Sequence, residues 1–175
     1  MLGKSVAFFL LTFIVLARGD SQQGWPQFRG PEGSGVTQSS LAMIWSDSKN
    51  MEWSSSIPGA GWSSPVVSNG RIWLTTAIHE GQKRPLGFQA GARSMGTFRK
   101  DANNLKMTEF RVVCLDLDSG KTLWSVTPSK AIPAFGIHPS NTYATESPVT
   151  DGEHVFVYFA AAGEVSCLDR DGKVI

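Results

Sequence analysis

The sequence predicts an all-β fold of stacked, four-stranded antiparallel sheets, and three observations predict it. The first is an internal repeat. Ser64-Pro65-Val66-Val67-Ser68-Asn69-Gly70-Arg71-Ile72-Trp73-Leu74 leads, after an insertion, to Val113-Cys114-Leu115-Asp116-Leu117-Asp118-Ser119-Gly120-Lys121. Ser147-Pro148-Val149-Thr150-Asp151-Gly152-Glu153-His154-Val155-Phe156-Val157 leads in the same way to Ser166-Cys167-Leu168-Asp169-Arg170-Asp171-Gly172-Lys173. One such unit cannot bury its own apolar face and must stack on its copies. The second is period-two alternation, with Ile72 and Leu74 in one copy and Val155 and Val157 in the other. The third is composition: 18 glycines, 9 prolines and only 18% charged residues suit short strands and tight turns better than a helical bundle.

The chain opens with a targeting pattern. Lys4 precedes an apolar run from Val6 to Ala17, broken only by Thr12, and Ala17-Arg18-Gly19 offers small residues for cleavage. A run of about a dozen residues is short for a ~30 Å hydrocarbon core, so residues 1–19 are expected to be a removed secretory signal and not a membrane span. No cysteine follows the run to mark a lipoprotein. The protein is therefore expected to be exported, to the periplasm or beyond the cell. Removing Lys4 and Arg18 shifts the formal charge from +1 to −1. Neither value creates the field that favours nucleic acid.

Residues 20–50 are expected to be an extended lead-in. Pro26, Gly30, Pro31, Gly33 and Gly35 forbid a helix there. Met51 to Ile57 reads as a strand stopped by Pro58-Gly59. In the first repeat, Trp62 to Val67 is a strand, Asn69-Gly70 a hairpin turn, and Arg71 to Ala77 the return strand. Phe110 to Asp116 and Lys121 to Val126 follow, joined at Asp118-Ser119-Gly120. The interruption from Ile78 to Glu109 is expected to be an irregular, mostly basic loop, carrying Lys83, Arg84, Arg93, Arg99, Lys100 and Lys106. In the second repeat the strands are Glu146 to Val149, His154 to Ala160 and Gly163 to Asp169, and Lys173-Val174-Ile175 opens a fourth. Lys121-Thr122-Leu123-Trp124 in the first copy predicts a tryptophan directly after Ile175 in the second.

Cys114 and Cys167 hold the same position in the two copies, within apolar strands. Export permits a disulfide, but two unpaired thiols acting as small hydrophobes fit these positions better. Asp116-Leu117-Asp118-Ser119-Gly120 does not make a calcium loop, because an EF-hand needs Gly at its sixth position and Glu at its twelfth. Its carboxylate is expected to accept turn N–H groups, as is that of Asp169. His79, His138 and His154 lack metal-ligand spacing, and no nucleophile elbow or phosphate-binding glycine pattern occurs. No catalytic residue and no metal ligand is predicted. The most site-like stretch is Phe135 to Glu146, a polar connection between the repeats. There the candidate ligand-binding residues are His138, Asn141, Tyr143 and Glu146, with Arg29 behind them, although Asn141 and Glu146 equally suit bonds to turn backbone.

Ser-Pro-Val-Val, a hydrophobic strand, then Cys-Leu-Asp-x-x-Ser-Gly-Lys-x-x-Trp resembles the repeat of quinoprotein-type (PQQ-like) β-propellers. Trp25-Pro26-Gln27-Phe28-Arg29-Gly30-Pro31 and Gly61-Trp62-Ser63-Ser64-Pro65 resemble those of exported bacterial propellers similar to the outer-membrane-assembly proteins. The resemblance implies four-stranded blades: 62–126, with its insertion 78–109, and an incomplete one at 144–175. It also implies that 51–57, with Trp53-Ser54 echoing Trp124-Ser125, is a ring-closing strand. A ring of about eight blades at ~45 residues each would exceed this chain, which holds about two. The expected function is a non-catalytic binding or assembly scaffold with protein partners at the bacterial envelope. The alternative is a PQQ- and calcium-dependent dehydrogenase acting on an alcohol or aldose; that cofactor rests on the resemblance alone, and the vicinal cysteine pair of those enzymes is missing.

Overall fold

The structure is a computed structural model that describes residues 24–82, 105–138 and 141–175. Residues 1–19, expected to be a signal, and most of the basic insertion lie outside the described residues. Within them the fold is all-β, with two antiparallel sheets, and no helix is long and apolar enough to cross a membrane. The first sheet is a meander of β1 (Val66–Ser68), β2 (Arg71–His79), β3 (Thr108–Asp116) and β4 (Thr122–Ala131). The second is β5 (Val149–Thr150), β6 (His154–Phe159) and β7 (Glu164–Asp169). Val174 bridges back to Leu168, and the Ile175 N–H donates to the Cys167 carbonyl at 2.9 Å, where a fourth strand would pair.

Local chemistry accounts for the elements. The β1–β2 turn places Asn69 and Gly70 at φ 48° and 73°, the pair of positive values that a type I′ hairpin requires. Asp116 and Asp169 accept N–H bonds within their turns, as predicted: Asp116 Oδ1 from Ser119 at 2.9 Å, and Asp169 Oδ1 from Asp171 and Lys173, each at 2.9 Å. β4 runs past the expected end at Val126. Pro128 has no N–H to give the ladder, and the register steps from Val112↔Val126 to Phe110↔Ser129, so that two residues of the edge strand oppose Arg111.

Other elements differ from expectation. The ladder continues into the insertion through Ile78↔Glu109 and His79↔Thr108, because these residues keep in register with the strands that carry them. Residues 62–65 do not form the start of a strand. The Ala60↔Ala77 bridge carries this segment along the edge of β2, and the Ser63 hydroxyl accepts from the Thr75 N–H at 3.1 Å, taking the place of a ladder carbonyl. Gly61 permits that approach, since a Cβ there would stand 2.2 Å from the Thr75 carbonyl oxygen. Residues 51–57 join no ladder and hold the first sheet through side chains instead. The lead-in pairs Trp25 with Val67, and its Pro26 carbonyl accepts from the Thr150 N–H at 2.9 Å, so it bridges the β1 and β5 edges.

The two sheets pack face to face. Val66, Trp73, Val112 and Cys114 of the first share a core with Val155, Val157, Phe159 and Leu168 of the second. Ile72, Val113 and Leu115, on the other face of the first sheet, form a smaller core with Trp53 and Ile57. Cys114 is buried and Cys167 half-buried, and both are free thiols. Burial pushes the Cys114 thiol up to about 11, opposed only partly by the nearby Arg71 and Arg170 cations.

One contact recurs with the repeat. The Trp53 indole N–H donates to the Leu117 carbonyl at 3.0 Å, and its ring lies against Gly120. The Trp124 indole N–H donates to the Arg170 carbonyl at 2.8 Å, and its ring lies against Gly172. Positive φ at both glycines, 67° and 86°, and the lack of a side chain let each ring cover a turn of the next unit.

Candidate functional site

By strand direction, the turns at 69–70, 116–121, 151–153 and 170–172 share one end of the molecule. The connection from β4 to β5 lies at the other end. It is tied down along its length: the Ala134 N–H donates to the Ala161 carbonyl at 2.7 Å, Trp62 N–H to the Ala144 carbonyl at 2.8 Å, and the Thr75 hydroxyl to the Glu146 carbonyl at 3.1 Å. Ala144, on the connection itself, is fully buried.

Four of the five candidates sit on this connection. The Asn141 N–H donates to the His138 carbonyl at 2.8 Å, and the Asn141 side-chain oxygen accepts from the Thr142 N–H at 2.9 Å. Glu146 Oε2 accepts from the Thr145 N–H at 3.3 Å. Tyr143 meets the His79 ring edge-on, with centroids 6.4 Å apart. Arg29 stands on the lead-in instead, at φ 64°, its guanidinium 5.5 Å from the centre of the Phe28 ring. His138, Asn141, Tyr143 and Glu146 follow one another along this connection, and Asn141 and Glu146 each make a bond to neighbouring backbone.

Those bonds bear on the quinone cofactor. Calcium assistance needs several converging oxygen ligands. The carboxylate of Glu146 and the amide oxygen of Asn141 each accept one neighbouring N–H and keep further lone pairs, and among the described residues no three His, Cys, Asp or Glu side chains could hold a metal ion together.

A groove of about 940 Å³, which sequence reasoning missed, opens beside the first sheet between Ser56, Ile57 and Trp62 on one side and Leu74, Thr76 and Gln82 on the other. Gly59 and Gly61 form its floor by close approach to β2, and their Gly-Ala-Gly spacing was the available signal. Two of its polar side chains are bonded to backbone: the Thr76 hydroxyl donates to the Pro58 carbonyl at 2.8 Å and the Gln82 amide to the Ala77 carbonyl at 2.9 Å.

Charge is locally balanced. Arg111, by side-chain hydrogen bond, and then Lys130, at 3.1 Å, hold the Glu109 carboxyl below its usual range. The Ser119 hydroxyl and N–H do the same for Asp116. A scan of known protein families and a search of curated proteins each returned no match.

Proposed function

We propose that the two sheets are consecutive blades of an exported, PQQ-like β-propeller that acts as a non-catalytic binding or assembly scaffold at the bacterial envelope. The observation that carries the architecture is the equivalence of the two sheets. Val66, Trp73, Thr75 and Val112, each no more than 1% exposed, are covered in the first. The register-matched Val149, Phe156, Tyr158 and Val165 of the second are 44%, 41%, 47% and 72% exposed. A face that is core in one copy and open in the next belongs to a stack that adds units in one direction. Trp53 on Gly120, followed by Trp124 on Gly172, supports the same direction and supports 51–57 as the ring-closing segment.

The scaffold role is supported by the bonds that the Asn141 and Glu146 side chains make to neighbouring backbone, which favour presenting a shaped connection over performing chemistry. The test follows the whole protein in a bacterial host. Fractionation with mass analysis should find it outside the cytoplasm and starting at Asp20, in-cell crosslinking should give a discrete envelope partner, and PQQ with Ca²⁺ should give neither binding nor dye reduction. A cytoplasmic protein that keeps residues 1–19 would overturn export, and PQQ-dependent dye reduction would overturn the scaffold in favour of the dehydrogenase.

A further inference from the structure

We infer that Asn69 is a deamidation site gated by the contact between the two sheets. The sequence holds one Asn-Gly pair, Asn69-Gly70. Glycine after asparagine leaves the following backbone nitrogen unhindered, and a Cβ at Gly70 would meet nothing within 4 Å. In the reaction the Gly70 nitrogen attacks Asn69 Cγ and a C–N bond forms. The Cγ–Nδ2 bond breaks, and Nδ2 leaves as ammonia with the proton that the Gly70 nitrogen gives up. Water then opens the cyclic imide at either carbonyl to yield aspartate or isoaspartate.

The fold opposes the first step. Asn69 Nδ2 donates to the Gly152 carbonyl of the second sheet at 3.1 Å, and the Asn69 carbonyl accepts from Arg170 Nη2 at 3.4 Å. Both residues of the turn are fixed at positive φ. Attack requires Cγ to leave the Gly152 contact and swing to the Gly70 nitrogen, so the reaction proceeds from a state in which the turns have parted. The product cannot restore the contact. An aspartate carboxylate would face the Gly152 carbonyl acceptor to acceptor, and isoaspartate adds a backbone carbon to a two-residue turn whose geometry sets the β1–β2 register. The site therefore converts transient separation of the sheets into permanent loosening. This inference stands independently of the propeller reading.

The experiment incubates the intact protein at mildly alkaline pH, natively and in concentrated urea, and follows the Asn69 peptide by mass spectrometry. The native rate should be slower by at least about tenfold. Gly152→Ala places a Cβ 3.1 Å from Asn69 Nδ2 and should raise the native rate several-fold while leaving the urea rate unchanged. Arg170→Ala should raise it less and serves as the deciding variant if Gly152→Ala does not fold, as judged by near-UV circular dichroism. Equal native and urea rates would overturn the inference, as would folded variants that deamidate no faster than the parent.

Discussion

Replacing Gly172 by alanine tests the recurring tryptophan contact most directly. Two penalties combine at this position. The backbone stands at φ +86°, and an L-residue there costs about 1–2 kcal/mol. The new Cβ would also meet Trp124 Cδ2 at 2.8 Å, in the body of a rigid ring. The ring must tilt away, giving up its 2.8 Å bond to the Arg170 carbonyl, about 1 kcal/mol net, along with part of its packing on the Gly172 turn. The expected loss is about 2–4 kcal/mol in a urea titration read by circular dichroism and tryptophan fluorescence. Gly70→Ala is the control: φ is +73° but nothing lies within 4 Å, so only the backbone penalty of about 1–2 kcal/mol applies. In a Trp124→Ala background, Gly172→Ala should fall toward that control, keeping only the 3.1 Å approach to Val126 Cγ2, a coupling of about 1–2 kcal/mol. Equal losses for the two glycines, or a coupling within the ~0.5 kcal/mol scatter of independent sites, would refute the reasoning.

Three further outcomes are expected. Gly61→Ala, whose Cβ would stand 2.2 Å from the Thr75 carbonyl oxygen, should cost about 3 kcal/mol and lower the thermal midpoint more than Gly70→Ala does. Asp151 is depressed to about 2 by the N–H and side chain of His154 and the N–H of Glu153. The folded state therefore favours its anion, and this stability is complete above the ordinary 3.8 and lost as pH falls toward 2; Asp151→Ala should flatten that stretch of an acid titration. A thiol reagent at mildly alkaline pH should label half-buried Cys167 first, since burial holds Cys114 protonated up to about 11; a Cys167→Ser variant that labels as fast as the parent would contradict this.

Much of the fold was legible because its signals are local. Asn69-Gly70 and Asp118-Ser119-Gly120 announce turns through backbone requirements that hold wherever the chain goes, and period-two alternation located β2, β3, β6 and β7 to within two residues. The misreadings involve partners distant in sequence. Nothing in Trp62-Ser63-Ser64 reveals that a serine hydroxyl replaces a ladder carbonyl at Thr75, and Met51–Ile57 has strand composition but docks by Trp53 and Ile57 without joining a ladder. The candidate site was half legible. The connection was located, and Asn141 and Glu146 meet the turn bonds that their residue types allow. The groove beside β2 was not, because Gly59 and Gly61 read as turn residues until β2 is seen to lie against them.

The repeat also explains why polar residues at its two ends behave differently. At the turn end, the copies must align with each other, and the bonds cross between sheets: Arg71 and Trp124 both donate to the Arg170 carbonyl, and Asn69 donates to that of Gly152. These contacts use backbone carbonyls as acceptors, so they constrain geometry while tolerating different side chains on the receiving turn. Leu117 in one copy and Arg170 in the other receive equivalent tryptophans. At the other end the two copies are linked by a single connection, and its Asn141 and Glu146 side chains bond to neighbouring backbone. On the proposed scaffold reading, periodicity fixes the first end and leaves the second free to vary, so the binding surface that reading requires is better sought along 132–148 and the groove than among the aspartate turns.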